Sequence, residues 1–160
     1  MKTLILGTFV LALLPLYLSA QSGTKSSDPF LGTWKLNVAK SSFSPGPPPT
    51  GETVTIAPDH VSVHDVVKTA QGEMSSDWSY SVGPEGQPSP ITGNGMQNST
   101  VTSKRINDRT LEHTWNFNGE ILHGRAVVSK DGKTMRYTLT GTGRNGESIH
   151  DIEIFEKQAP

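Results

Sequence analysis

The run Gly141-Thr142-Gly143-Arg144-Asn145-Gly146 has the G-x-G-x-x-G spacing of a dinucleotide-binding loop. That motif works where a strand leads into a helix whose N-terminus takes the pyrophosphate. Here Ile149, Ile152, Ile154 and Phe155 follow, and they read as a strand, so a glycine-rich hairpin is expected instead. His60 and His64 are four residues apart, a metal spacing on a helix. On a strand they lie about 13 Å apart, too far to share one ion. Asp151 and Glu153 share a strand face with Cα atoms about 7 Å apart. Retaining glycosidases hold their carboxyls at roughly 5–5.5 Å, but the face carrying these two acids is expected to be solvent. His113 and His150 are expected to point inward, each opposite a glycine, where imidazole could polarise a ligand or take a metal or haem. His123 falls on the outer face. There is no G-x-S-x-G elbow, no H-E-x-x-H and no phosphate loop, so catalysis has no positive signature, and no cofactor is expected. Asn98-Ser99-Thr100 is a glycosylation sequon, of consequence only in a eukaryotic secretory route.

The second chemical set is aromatic. Trp34, Trp78, Tyr80, Trp115 and Tyr137 are expected on one inner face, together with Asp65, His113 and His150 as polar handles. Such a set makes either a filled core or the wall of a mainly apolar cavity. Gly124 and Gly141, also inward, are expected to leave internal volume.

These residues need a scaffold, and composition bounds it. Net charge is −1, with 14 basic and 15 acidic residues interspersed. No basic patch suggests nucleic acid. The chain has no cysteine, so thiol chemistry and disulfides are excluded. Residues 1–20 read as a signal peptide: Lys2, an apolar run from Leu4 to Leu18, then Leu18-Ser19-Ala20 before a cut ahead of Gln21. The apolar run is shorter than the ~20 residues of a spanning helix. Residues 21–28 read as a tether and 29–160 as one domain. The expected location is periplasmic or extracellular, with no transmembrane segment in the mature chain, and the protein is expected to be a monomer.

Beyond residue 20 no 3.6-residue apolar period survives, whereas alternation and turn residues are frequent, which indicates β structure. Trp34, Leu36 and Val38 alternate with Thr33, Lys35 and Asn37. Residues 41–51, with three consecutive prolines, read as a loop or flap. Hairpin turns then set register. Pro58-Asp59 pairs Ile56 with Val61. Gln71-Gly72 pairs Val63 with Tyr80 and Asp65 with Trp78. Asn118-Gly119 pairs Trp115 with Leu122 and Glu112 with Arg125. Asp131-Gly132 pairs Ala126 with Tyr137. Asn145-Gly146, read as a two-residue turn, pairs Tyr137 with Ile154 and Gly141 with His150. At residues 107–109 a three-residue loop is preferred, because it turns Val101 and Ser103 inward rather than Lys104. Residues 83–90 read as a loop, with Ile91-Thr92 a short strand. Sequential hairpins burying one face describe an antiparallel up-and-down β-barrel of roughly 8–10 strands, since closure removes the exposed edges.

The opening Gly32-Thr33-Trp34-Lys35-Leu36 and the closing Ile154-Phe155-Glu156-Lys157, with a flap and meander between, resemble the calycins: lipocalins and especially the ten-stranded fatty-acid-binding-protein type. The stretch 28–49, with Ser129-Lys130-Asp131-Gly132-Lys133-Thr134-Met135, is similar to uncharacterised secreted bacterial proteins described as lipocalin-like. The resemblance implies a barrel whose Gly-x-Trp tryptophan plugs one end. It departs at the Arg-x-Tyr pair that holds a ligand carboxylate in fatty-acid-binding proteins, where this chain has Glu153 and Phe155. The two-helix lid is replaced by the proline-rich run. The expectation is a secreted protein that binds a small, mainly apolar ligand. An envelope interaction module acting through its outer face or flap is the alternative, and a haem or metal enzyme ranks third.

Overall fold

The computed structural model describes residues 28–159; the signal-peptide reading and most of the tether lie outside them. Ten strands follow in order: β1 Gly32–Leu36, β2 Gly51–Ile56, β3 His60–Thr69, β4 Gly72–Ser81, β5 Pro88–Gly93, β6 Ser99–Asn107, β7 Thr110–Phe117, β8 Glu120–Val128, β9 Thr134–Thr142 and β10 Ser148–Lys157. Each pairs antiparallel with its sequence neighbours, and β1 closes the barrel against β10. This is the antiparallel up-and-down β-barrel that the hairpins lead one to expect, with ten strands. Closure leaves no sheet edge and gives every strand one inner and one outer face.

Loop length decides which residues those are. Asn118 and Gly119 adopt φ of 54° and 97°, the two left-handed residues a type I′ turn requires. Trp115 therefore faces Leu122, and Glu112 faces Arg125, whose Nη1 donates to the Glu112 carboxylate at 2.6 Å. After β8 the loop holds four residues, 130–133, closed by Ser129 N donating to the Thr134 carbonyl at 2.9 Å. Four and two have the same parity, so Ala126 still pairs with Tyr137 as expected. The β3–β4 turn sits at Ala70-Gln71, one residue earlier than expected. Val63 consequently pairs with Trp78 and Asp65 with Ser76, without any change of face.

The β9–β10 hairpin overturns the expectation. Gly143 N donates to the Glu147 carbonyl at 2.8 Å around a three-residue loop, Arg144-Asn145-Gly146, with only Gly146 at positive φ, 83°. This is a type I turn followed by a left-handed glycine. The odd count flips the whole of β10: Tyr137 pairs with Glu153, and Gly141 pairs with Ile149. His150 is exposed, not inward, and Glu153 turns inside.

At β6–β7 the face is as expected, by a different device. A two-residue turn at Asp108-Arg109 is combined with a bulge between Arg105 and Asn107, and Val101 is buried opposite Trp115. The extra residue of the bulge restores the inward register. Strand β5 starts at Pro88, earlier than expected, and buries Ser89 and Ile91.

Two apolar clusters fill the barrel. One joins Phe30, Trp34, Leu36, Ala126, Val128, Met135 and Phe155, on β1, β8, β9, β10 and the segment before β1. Trp34 is fully buried there, its Nε1 donating to the Phe30 carbonyl at 2.7 Å. Lys157 Nζ lies 5.0 Å from the Trp34 ring centroid and donates to the Pro29 carbonyl at 3.0 Å. The other cluster joins Val61, Val63, Tyr80, Ile91, Val101, Trp115 and Leu122 across the facing wall.

The proline-rich run is tied down at both ends. Ser42 bridges Ile152 of β10, Ser44 N donates to Asp151 Oδ1 at 2.8 Å, and Thr50 N donates to the Val66 carbonyl at 2.8 Å. It straps the barrel where the short β1 ends. The segment before β1 is fixed as well: Arg105 Nη2 donates to Asp28 Oδ2 at 2.5 Å and its guanidinium lies 5.2 Å from the Phe30 ring centroid. Asp28 thus belongs to the barrel, not to the tether.

Candidate ligand cavity

Residues of both clusters line a cavity of about 500 Å³ in the barrel, open in part to solvent. Its exposed rim is formed by Pro58 of the β2–β3 turn, by Val82, Gly83 and Glu85 of the β4–β5 loop, and by Arg105. Inside, the wall is mostly apolar. Val54, Val61, Val63 and Leu139 contribute to it along with Trp78, Tyr80, Trp115 and Phe117.

The aromatic wall is a connected unit. The Trp115 ring meets Trp78 edge-on at 5.7 Å and 89° and Tyr80 at 5.8 Å and 85°, while Trp78 and Tyr80 stack at 6.4 Å. His113 stacks on Trp115 with ring centroids 5.6 Å apart, and Phe117 stacks on Trp115 at 5.7 Å. Edge-to-face pairs of this kind hold rings rigidly in place. Trp115 Nε1 donates to the Tyr137 hydroxyl at 2.5 Å, and Trp78 Nε1 donates to Asp65 Oδ2 at 2.7 Å.

Of the residues expected to line a cavity, Asp65, Trp78, Tyr80, His113, Trp115 and Tyr137 come together around it. Trp34 does not: it lies in the packed plug, the role implied by its Gly-x-Trp setting. His150 is on the outer surface. Two residues that sequence reasoning missed stand inside, Glu52 on β2 and Glu153 on β10. The signal for Glu52 was present, because it alternates in phase with Val54 and Ile56 and pairs with Asp65.

The expectation that Gly124 and Gly141 leave internal space is corrected. A Cβ at Gly124 would fall on the Tyr137 hydroxyl, and one at Gly141 would meet the Leu122 side chain at 2.5 Å. These glycines admit neighbours that occupy the space. Gly124→Ala should therefore push Tyr137 off its Trp115 bond and lower stability by roughly 1–3 kcal/mol, the usual range for overpacking. Urea unfolding followed by tryptophan emission measures this; an unchanged midpoint would show that the ring can yield freely.

Burial sets the protonation of the polar groups, because a charge is disfavoured away from water. It lowers the His113 pKa to about 4, keeping the imidazole neutral, and Nδ1 has no hydrogen-bond partner. Glu153 is pushed up to about 8 by burial and then by the charges of Asp151 and Asp65. Glu52 is raised well above the usual carboxylate range by burial, then by Glu153 and Asp65. Asp65 is also raised by burial, with the Trp78 bond opposing. Burial likewise raises the hydroxyls of Tyr80 and Tyr137. The described residues contain no grouping of three or more His, Asp or Glu able to hold a metal ion.

No protein-family model and no curated protein matches the chain. Among solved structures it is similar to two variants of the fluorescent protein UnaG. One is 11% identical with a TM-score of 0.49, covering 82% of this chain and 98% of that one. The other is 12% identical with a TM-score of 0.48, covering 81% and 96%.

Proposed function

We propose that this protein is an exported carrier that holds a small, mainly apolar molecule inside its barrel. The observation that carries this reading is the cavity itself: a mostly apolar wall with a few convergent polar groups, which is how small-molecule sites are generally built. The rim gives access from one end, and the strap and the Asp28–Arg105 pair hold the surrounding segments in place without filling the interior. Export rests on the signal-peptide character of residues 1–20, and a monomeric barrel suffices to enclose the ligand.

Nile red, a neutral dye that brightens and shifts to the blue in apolar surroundings, tests the reading. It should bind one to one, and it should quench Trp78 and Trp115 while leaving the plugged Trp34 emitting. Trp78→Phe and Trp115→Phe assign the quenched fraction. Failure of the dye to shift up to its solubility limit would count against a ligand chamber.

A further inference from the structure

The cavity wall carries acids that an apolar ligand does not require. Glu52, Asp65 and Glu153 all reach it from β2, β3 and β10, and Arg105 is the one Lys or Arg among its lining residues. That guanidinium stands at the rim and is already taken by Asp28. Asp65 accepts from Trp78, whereas Glu52 and Glu153, half-buried on the cavity wall, make no hydrogen bond or ion pair among the described residues. A buried carboxyl without a partner is costly, and it is relieved by a cation or an N–H donor.

Two further features of the same cavity favour that kind of guest. Trp78, Tyr80 and Trp115 line it, and aromatic rings attract cations through their quadrupoles. Beside them the partnerless Nδ1 of neutral His113 can accept a hydrogen bond. A carboxylate guest would meet three acids instead.

Resting on the carrier reading above, we propose that the ligand is an apolar molecule bearing a basic nitrogen. Its ammonium is held by Glu52 and Glu153, and its apolar body lies against Trp78, Tyr80 and Trp115. Burial raises both carboxyls, so a proton leaves to solvent as the ammonium pairs with them.

The test compares three probes with one chain: decylamine, decanol and decanoate, each titrated calorimetrically at pH 7. Decylamine should bind about tenfold or more tighter than decanol, and decanoate more weakly than decanol. In the E52Q/E153Q variant decylamine should lose about tenfold in affinity, while decanol stays within roughly twofold and reports that the barrel is intact. Decanoate binding as tightly as decylamine to the native chain would overturn the proposal, as would a decylamine preference that survives in the double variant. If decanol binds but decylamine gains nothing over it, only the amine assignment fails. If none of the three binds, the carrier reading fails with it.

Discussion

Trp34→Ala should lower folding stability by about 3–5 kcal/mol, the range for deleting a large aromatic side chain from a packed core. Three losses coincide at this one position. The indole is fully buried among Phe30, Met135, Val128 and Phe155, so its removal leaves a void. The Phe30 carbonyl loses its donor, and the Lys157 ammonium loses the ring it lies against. Whole domains are stable by only about 5–15 kcal/mol, so the loss is a large share. Urea unfolding should show a fall in midpoint with little change in slope. Trp34→Phe should recover most of the packing and leave the orphaned carbonyl, costing about 1–2 kcal/mol. A loss below about 1 kcal/mol for the alanine variant would mean that the plug does not hold this end of the barrel.

The second large effect is in pH. Burial raises Glu153 in the fold to about 8, against 4.5 for an ordinary glutamate, with Glu52 raised beside it. Between those values the folded protein binds more protons than the unfolded chain, so stability is full at low pH and falls as pH rises through 8. His113 works in the opposite direction, since burial lowers it to about 4, below the ordinary 6.5, and its contribution rises with pH between them. The clean window is therefore pH 6.5 to 8, above the histidine and below the tyrosines. Facing Glu153 across that window are Glu52 on β2, Asp65 on β3, Tyr137 on β9 and Asp151 on its own strand. Glu153 alone should remove about 2 kcal/mol between pH 6.5 and 8, on the order of 1.4 kcal/mol per unit. E52Q/E153Q should be nearly level there and more stable than the native chain at pH 8. A native stability that rises with pH in this window would mean that both carboxyls are ionised and stabilised in the fold.

The two features behind these predictions were unequally legible. The plug is written locally, in a Gly-x-Trp strand whose alternation leaves the indole nowhere else to go. The barrel is legible too, because its hairpins agree on one inner face. That agreement tolerates mistakes of a certain kind: reading a four-residue loop at 130–133 as two residues, or placing the turn at 70–71 one residue late, preserves parity and so preserves the face. The loop at 144–146 does not forgive, since one residue more than expected exchanges His150 for Glu153. Asn145-Gly146 is compatible with both a type I′ turn and a type I turn closed by a left-handed glycine, and dihedral angles, not residue types, separate them.

The cavity itself was the least legible feature. Inner aromatics describe a filled core and a hollow one equally well, and the glycines expected to leave space are filled by Tyr137 and Leu122. Volume depends on how side chains from all ten strands meet, which no local pattern encodes.

Native mass spectrometry of the protein purified without detergent from its own host tests the carrier reading most directly. The expected spectrum shows the folded chain plus one small molecule, lost on denaturation. A folded chain found only at its bare mass would contradict it.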